Sequence, residues 1–414
     1  DEVGDRVIEL EKFGAFWERT DDGKRYLLRN GGGHTYGRSV YCEDHTGREA
    51  LRALESEAKR RAIHIYNNVM VTKLLTENGS VVGATAIDLN FGSFLVFKAK
   101  SVVLATGGAG HIYPVTSQPE GCIGDGFSMA LRVGAELIDM EFVQFFPIGL
   151  AYPEELKGIL CGTPYYSHLF NTKKERFMAK YDSRMELATR DVLSRAMFKE
   201  VQEGRGTLHG GLFCDATYNP PEFFEEQWPS LYDRAKKLGI DLKKDMMEVI
   251  PTVHYFMGGV RVNEQWETSI PGLFAAGEVT GGVHGANRVG QNSLADTLVS
   301  GSRAGRYAAK HAAKVKGVAL LEDEVSKEYE RIYGFLTSDA RAKNEIRSSE
   351  IKEKIQSIMW NKVGIIRDEK KLQEAVRELR DIRKNDIPGI VITSNSIRFN
   401  KEWIDAIGIF FMLD

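Results

Sequence analysis

The chain has 414 residues, a length for which roughly two or three domains are expected. Its 55 basic and 58 acidic residues leave a formal charge of −3, so there is no overall positive field to draw in a phosphate backbone, and nucleic acid is excluded as a first partner. With 43% hydrophobic and 27% charged residues the composition is that of a packed globular chain and excludes intrinsic disorder.

Asp1-Glu2-Val3 opens the chain with neither a basic stretch nor an apolar run, so no signal peptide is read there and a cytoplasmic location is expected. Thr46-Gly47-Arg48-Glu49 has the form of a capping box. Leu51, Leu54, Ala58 and Ala62 then recur at helical spacing, which predicts a helix packed on one side. Apolar runs at 69–75 and 81–87 flank Asn78-Gly79, a hairpin signal, and a run at 93–98 completes a three-stranded meander. Residues 101–105 form the short apolar run expected of a strand buried on both faces, and lead straight into Thr106-Gly107-Gly108-Ala109-Gly110. Gly124-Asp125-Gly126 then precedes an apolar helix predicted over 127–137.

From 145 to about 251 the pattern turns mixed polar and aromatic, with a break at Pro220-Pro221 and an amphipathic helix predicted over 187–201, as in an inserted domain. Glycine returns at Gly258-Gly259, and a second buried strand at 272–276 meets Gly277-Glu278. Beyond 314 a Lys/Glu-rich helical pattern takes over, with Ile351, Ile355 and Ile358 on one stripe and Leu372, Val376 and Leu379 on another. The expected division is therefore 1–144, 145–252, 253–314 and 315–414, the first and third forming one domain. Cys42, Cys122, Cys161 and Cys214 lie too far apart for a C-x-x-C pair, so no metal or redox site is expected from them. No apolar run reaches the length of a membrane span.

Glycines after a strand let backbone amides approach a phosphate or ring edge without a Cβ in the way, which singles out Thr106, Gly107 and Gly108. Glu278, at the second strand end, is placed to accept hydrogen bonds from ribose or ribityl hydroxyls. Asp125 reads equally as an acid favoured by a helix N-terminus or as a holder of a cofactor hydroxyl. Arg288, inside the glycine-lined run from His284 to Leu294, suits a rigid clamp on a carboxylate. His254 sits in an apolar run where a core histidine is the plainer reading, and Arg190-Asp191 starts a helix where an ion pair would be ordinary.

Taken together, Ala105-Thr-Gly-Gly-Ala-Gly110, Gly124-Asp-Gly126, Met140-Glu-Phe-Val-Gln144, Arg190-Asp191, His254-Tyr-Phe-Met-Gly-Gly259, Ala276-Gly-Glu278 and His284-Gly-Ala-Asn-Arg-Val-Gly-Gln-Asn-Ser-Leu294 resemble the succinate dehydrogenase/fumarate reductase flavoprotein family, in order and over nearly the whole chain. The resemblance implies an α/β FAD-binding (Rossmann-like) domain interrupted by an α+β capping domain and followed by an α-helical domain. It implies FAD as cofactor and hydride transfer between flavin N5 and a C=C or CH–CH unit next to a carboxylate. In that pattern Arg190 is the proton donor, His254 and Arg288 hold the carboxylate, and Thr106, Gly107, Gly108, Asp125, Glu278, Arg288, Ser293 and Leu294 contact the FAD. A small carboxylate substrate is implied, together with an iron–sulfur electron-transfer partner subunit, since no cysteine motif here suits a cluster. A peripheral place on the inner membrane face is expected through that partner.

Three departures bear on the chemistry. The chain opens inside the family pattern, past the Gly-x-Gly-x-x-Gly loop and the segment of the covalent flavin histidine, and stops before the usual tail, so it reads as an incomplete sequence. Where the family shows Gln-Tyr-His-Pro-Thr-Gly this chain has Gln144-Phe145-Phe146-Pro147-Ile148-Gly149, so Phe146 replaces the histidine of a second carboxylate. Cys161-Gly162-Thr163-Pro164-Tyr165-Tyr166 replaces Thr-Glu-Gly-x-Arg, which supplies a carboxylate anchor and the relay to the catalytic arginine. Tyr165, Tyr166 and His168 are the candidates for a substitute relay. A pocket of Phe146, Cys161, Gly162 and Tyr165 is expected to suit a substrate with one carboxylate and one apolar or aromatic end, because burying a second carboxylate against Phe146 is costly. The alternatives are fumarate held in another way, an L-aspartate oxidase-like enzyme, and a noncatalytic flavin relay in a larger redox complex, for which an intact carboxylate clamp would have no use.

Overall fold

The computed structural model describes residues 2–31, 34–162, 166–220, 222–319, 321–337, 345–394 and 396–414. The meander forms as expected: Val69–Glu77 pairs antiparallel with Ser80–Asp88, which pairs with Ser93–Lys98. Asn78 and Gly79 take φ of 51° and 76°, the left-handed backbone whose twist suits a two-residue hairpin turn. Val102–Leu104 pairs in parallel with Leu273–Ala275, so segments from either side of the insertion meet. The second of these strands is buried throughout. The first is not, because Val103 is 38% exposed, its face being only partly covered; the expectation of a strand enclosed on both sides is corrected.

The inserted segment folds on a four-stranded antiparallel sheet in the order Val143–Leu150, Met247–Phe256, Leu212–Asp215, His168–Phe170. Helix Arg190–Glu200 packs on the first of these strands. Phe146, Ile148, Leu169, Leu193 and Met197 share one core, whereas Phe145, Val253 and Phe256 belong to another with Leu104, Phe127 and Leu273. Two strands thus run from one core into the other and join the insertion to the glycine-rich body. Each fully buried aliphatic here contributes about 1.5–3 kcal/mol of transfer free energy.

Local patterns differ from the sequence expectation where small residues override large ones. Helix Thr46–Arg60 forms, but Glu49 accepts from Phe16 N (2.8 Å) and pairs with Arg52, and Thr46 Oγ1 accepts from Cys42 N, so no capping box closes. Its buried face is Ala50 and Ala53 against Leu10 and Trp17, while Leu51 and Leu54 are exposed. The helix expected over 127–137 is Asp125–Arg132; Gly134, at φ 87°, turns the chain so that Leu137–Ile138 pairs with Gly259–Val260.

At the C-terminal end Ile351, Ile355 and Ile358 pack with Ala375, Ala406 and Ile409. Ala375 is the buried residue of helix Glu369–Asp381, leaving Leu372 and Val376 exposed, one position off the expected stripe. Asn400 caps helix Lys401–Leu413 by accepting from Trp403 N, a contact worth about 1 kcal/mol.

Candidate active site

Parallel pairing of Val102–Leu104 with Leu273–Ala275 delivers their following loops to the same sheet end, where crevices of α/β folds bind nucleotides. Thr106, Gly107 and Gly108 follow the first strand and Gly277-Glu278 the second. Gly107 has φ 76°, and a Cβ on Gly108 would fall onto Glu278 Oε1. Glu278 accepts from Phe256 N at 2.9 Å and from Gln118 Nε2. Burial pushes its carboxyl up to about 7.

Asp125 is the first residue of helix Asp125–Arg132, and burial raises its carboxyl. Its Oδ1 and the nearby Thr106 Oγ1 are both buried without a hydrogen-bond partner, although Gly126 packs onto Thr106. An unpaired buried acceptor costs about 1–3 kcal/mol unless a ligand supplies a donor. These acceptors beside side-chain-free backbone suit a ligand rich in hydroxyl groups, and the residues present therefore fit FAD.

The second half of the site is built around Gln144, on strand Val143–Leu150 and 4% exposed. Its Nε2 donates to Asn287 Oδ1 (2.7 Å) and Arg288 O (2.8 Å), which fixes the amide. Its Oε1 accepts from Arg190 Nη1 at 3.2 Å and from Arg288 Nη2 at 3.0 Å. Arg288 is buried, lies 4.6 Å from the Tyr255 ring centroid, and donates through Nη1 to Ser293 Oγ; its Nε has no partner. Ser293 and the exposed Leu294 open helix Asn292–Lys314. Burial disfavours the Arg288 cation and lowers its pKa, so its neighbours matter.

His254 bonds through Nδ1 to Ser117 Oγ at 2.9 Å. Burial first, then the charges of Arg288 and Arg190, lower it to about 3, so it is a neutral imidazole at ordinary pH. Its ring lies 5.5 Å from that of Phe146, and the Arg190 guanidinium stands 4.9 Å over the same phenyl ring. Asp191 pairs with Arg195 at 2.7 Å. Arg190, His254, Arg288 and Phe146 thus converge.

Cys161 is buried and donates from Sγ to Ile148 O at 3.2 Å; burial pushes its thiol well up, so it is not a thiolate. Gly162 has φ +89°, and a Cβ there would meet the Trp228 indole. Tyr165 lies outside the described residues. Tyr166 packs against Phe223 and Trp228, and His168 stacks on Tyr218. Gln144 carries no role in the motif reading, and Ser117 and Gln118 leave no sequence signal at all, because each acts through a partner more than 40 positions away.

Among the described residues no group of three or more His, Cys, Asp or Glu could hold a metal ion, and no helix is long and apolar enough to cross a membrane.

Residues 1–294 match the FAD binding domain family, and 352–414 match the fumarate reductase flavoprotein C-terminal family. The chain is 42% identical, over 98% of its length and 73% of the relative's, to one of the subunits of the fumarate reductase (CoM/CoB) of Methanothermobacter marburgensis. It is 34% identical to an L-aspartate oxidase of Nicotiana tabacum, over 91% of this chain and 60% of the relative. Among solved structures, Mycobacterium smegmatis Sdh1 in complex with UQ1 superposes with a TM-score of 0.88 at 37% identity, covering 100% of this chain and 71% of that one. The chain belongs to the fumarate reductase and succinate dehydrogenase flavoprotein family, FAD-dependent oxidoreductases that act on CH–CH groups.

Proposed function

We propose that the protein reduces, or in reverse forms, the C=C bond of an unsaturated acid that presents one carboxylate to Arg288 and His254 and an apolar group to Phe146. When bound, FAD supplies the hydride donor or acceptor, held by Thr106, Gly107, Gly108, Asp125, Glu278, Ser293 and Leu294. The observation that carries the reading is the Phe146 ring, in contact with both His254 and the Arg190 guanidinium, where a second carboxylate would need a polar partner.

Arg288, with its unpaired Nε, binds the carboxylate and withdraws electron density from the adjacent carbon. Ser117 Oγ occupies His254 Nδ1, so Nε2 is the ring nitrogen that faces the same carboxylate, and it donates in the tautomer that carries its proton there. Arg190 gives the proton to the other carbon, and Gln144 keeps its guanidinium in place. Electrons come one at a time from an iron–sulfur partner protein.

A second reading, fumarate itself as acceptor, is favoured by the relative from Methanothermobacter marburgensis, whose name records that activity. Incubating reduced holoenzyme with each acid and identifying the product by mass spectrometry tests the assignment: a saturated acid should form with wild type and not with Arg190→Ala. Product from Arg190→Ala at the wild-type rate would sink the proton-donor role.

A further inference from the structure

Every hydrogen bond that the Arg288 guanidinium makes among the described residues goes to a neutral oxygen, Gln144 Oε1 or Ser293 Oγ, and it forms no ion pair. A cation kept for a substrate carboxylate cannot be seated on a protein carboxylate, which the substrate would then have to displace. Its seat is instead the face of Tyr255, 4.6 Å from the ring centroid, where the π electrons attract a guanidinium without occupying its donors. Tyr255 is buried and stands directly opposite Gln144 in the register of strands Met247–Phe256 and Val143–Leu150, so this cross-strand pair frames the cation.

The same tyrosine holds the other end of the loop that carries Arg288. Its hydroxyl shares a hydrogen bond with His284 Nε2 at 3.1 Å, and the two rings meet edge to face with centroids 5.3 Å apart. Among the described residues this is the only side-chain hydrogen bond of residues 282–286, and Gly285, Ala286 and Asn287 are exposed. Gln144 fixes Asn287 and the Arg288 carbonyl, so residues 284–286 depend on His284 for their place. The His284 side chain is 5% exposed, with Asp296 Oδ2 3.8 Å from the same ring nitrogen. Burial first, then the charge of Arg288, lowers His284 to about 4, so the ring is neutral and adds no repulsion to that cation. We propose that Tyr255 and His284 are positioning residues of the carboxylate clamp: they pin loop 284–288 at both ends to strand Met247–Phe256 and so hold Arg288 where it meets the substrate. The clamp rests on the reading of Arg288 given above; the pinned loop does not.

The test uses the FAD-loaded full-length protein, reduced anaerobically, with fumarate and cinnamate as the acids. Tyr255→Phe and His284→Leu should each raise KM about fivefold and leave kcat within about twofold of wild type, as expected when one hydrogen bond that serves binding alone is lost. The pair together should be no worse than either single variant, because both remove the same contact. An unchanged KM in either single variant, or effects that multiply in the pair, overturns the proposal. A second measurement needs no acid: trypsin cuts after Arg288 only when its side chain leaves the Tyr255 face, and that cut should come about fivefold faster in each single variant. Cutting after Arg205, paired with Glu200 at 2.6 Å, should keep its wild-type rate, and a rise at both sites alike, or at neither, overturns the pinned loop. Arg288→Ala separates the two readings: if its KM equals that of wild type, or if neither acid reoxidises the flavin, the clamp fails and trypsin alone decides the loop.

Discussion

Arg190 and Arg288 donate to the same oxygen, Oε1 of Gln144, at 3.2 and 3.0 Å. Two cations that close repel each other, and the shared acceptor, itself anchored by Asn287, holds them together. Gln144→Leu removes the acceptor and leaves buried donors unpaired, at a cost of about 1–3 kcal/mol. Steady-state kinetics should show KM for the acid raised about tenfold or more. Gln144→Glu should be worse for KM, because its charge occupies the clamp in place of substrate; an unchanged KM in both variants would remove Gln144 from the site.

Phe146→His restores a polar partner for a second carboxylate and should raise kcat/KM for fumarate by about tenfold while lowering it for acids with an apolar end. Rebuilding the neighbouring anchor is a different matter. Gly162→Glu places a Cβ on the Trp228 ring at a φ of +89°, so it should destabilise the fold by about 1–3 kcal/mol and lower Tm. Pairing it with Trp228→Ala should recover part of that loss in a thermal melt.

The buried carboxyl and the buried imidazole give opposite pH dependences. Glu278 sits near 7 in the fold against 4.5 unfolded, so between those values the unfolded chain loses its proton first, and stability of the FAD-free protein falls as pH rises from about 4.5 to 7. His254 sits near 3 against 6.5 unfolded, so its contribution is full above 6.5 and is lost as pH falls towards 3. Thermal melts from pH 4 to 8 should therefore show Glu278→Gln flattening the upper limb, and His254→Gln the lower one. A Glu278→Gln curve parallel to wild type above pH 5 would contradict the raised carboxyl.

Gly108→Ala drives a methyl onto Glu278 Oε1. The carboxylate must move away from where a hydroxyl-rich ligand would meet it, so the purified variant should carry less flavin, with FAD affinity lowered about tenfold as read by absorbance against protein content. Gly285→Ala is the control: a Cβ there meets nothing within 4 Å, and its effect should be confined to the backbone strain of φ +57°.

The charged and glycine-rich parts of the site were legible because their chemistry is local: a strand end, two glycines and an acid declare a close approach wherever they occur. Arg190, His254 and Arg288 were legible as a set through the family resemblance, while their mutual geometry was not. Gln144 joins residues 46 and 144 positions away, and no local pattern encodes that. The helix faces depart from their sequence pattern for a related reason. Leu51, Leu54, Leu372 and Val376 look like core by size, yet Ala50, Ala53 and Ala375 are buried, because close packing of neighbouring segments selects small side chains.

The most direct measurement is stopped-flow reoxidation of the anaerobically reduced holoenzyme, followed at the flavin absorption band, against fumarate and against crotonate and cinnamate. Faster reoxidation by an acid with one carboxylate and an apolar end than by fumarate is the result predicted from Phe146 beside Arg190 and His254. Reoxidation by fumarate at an equal or greater rate would contradict it and assign the site to the dicarboxylate.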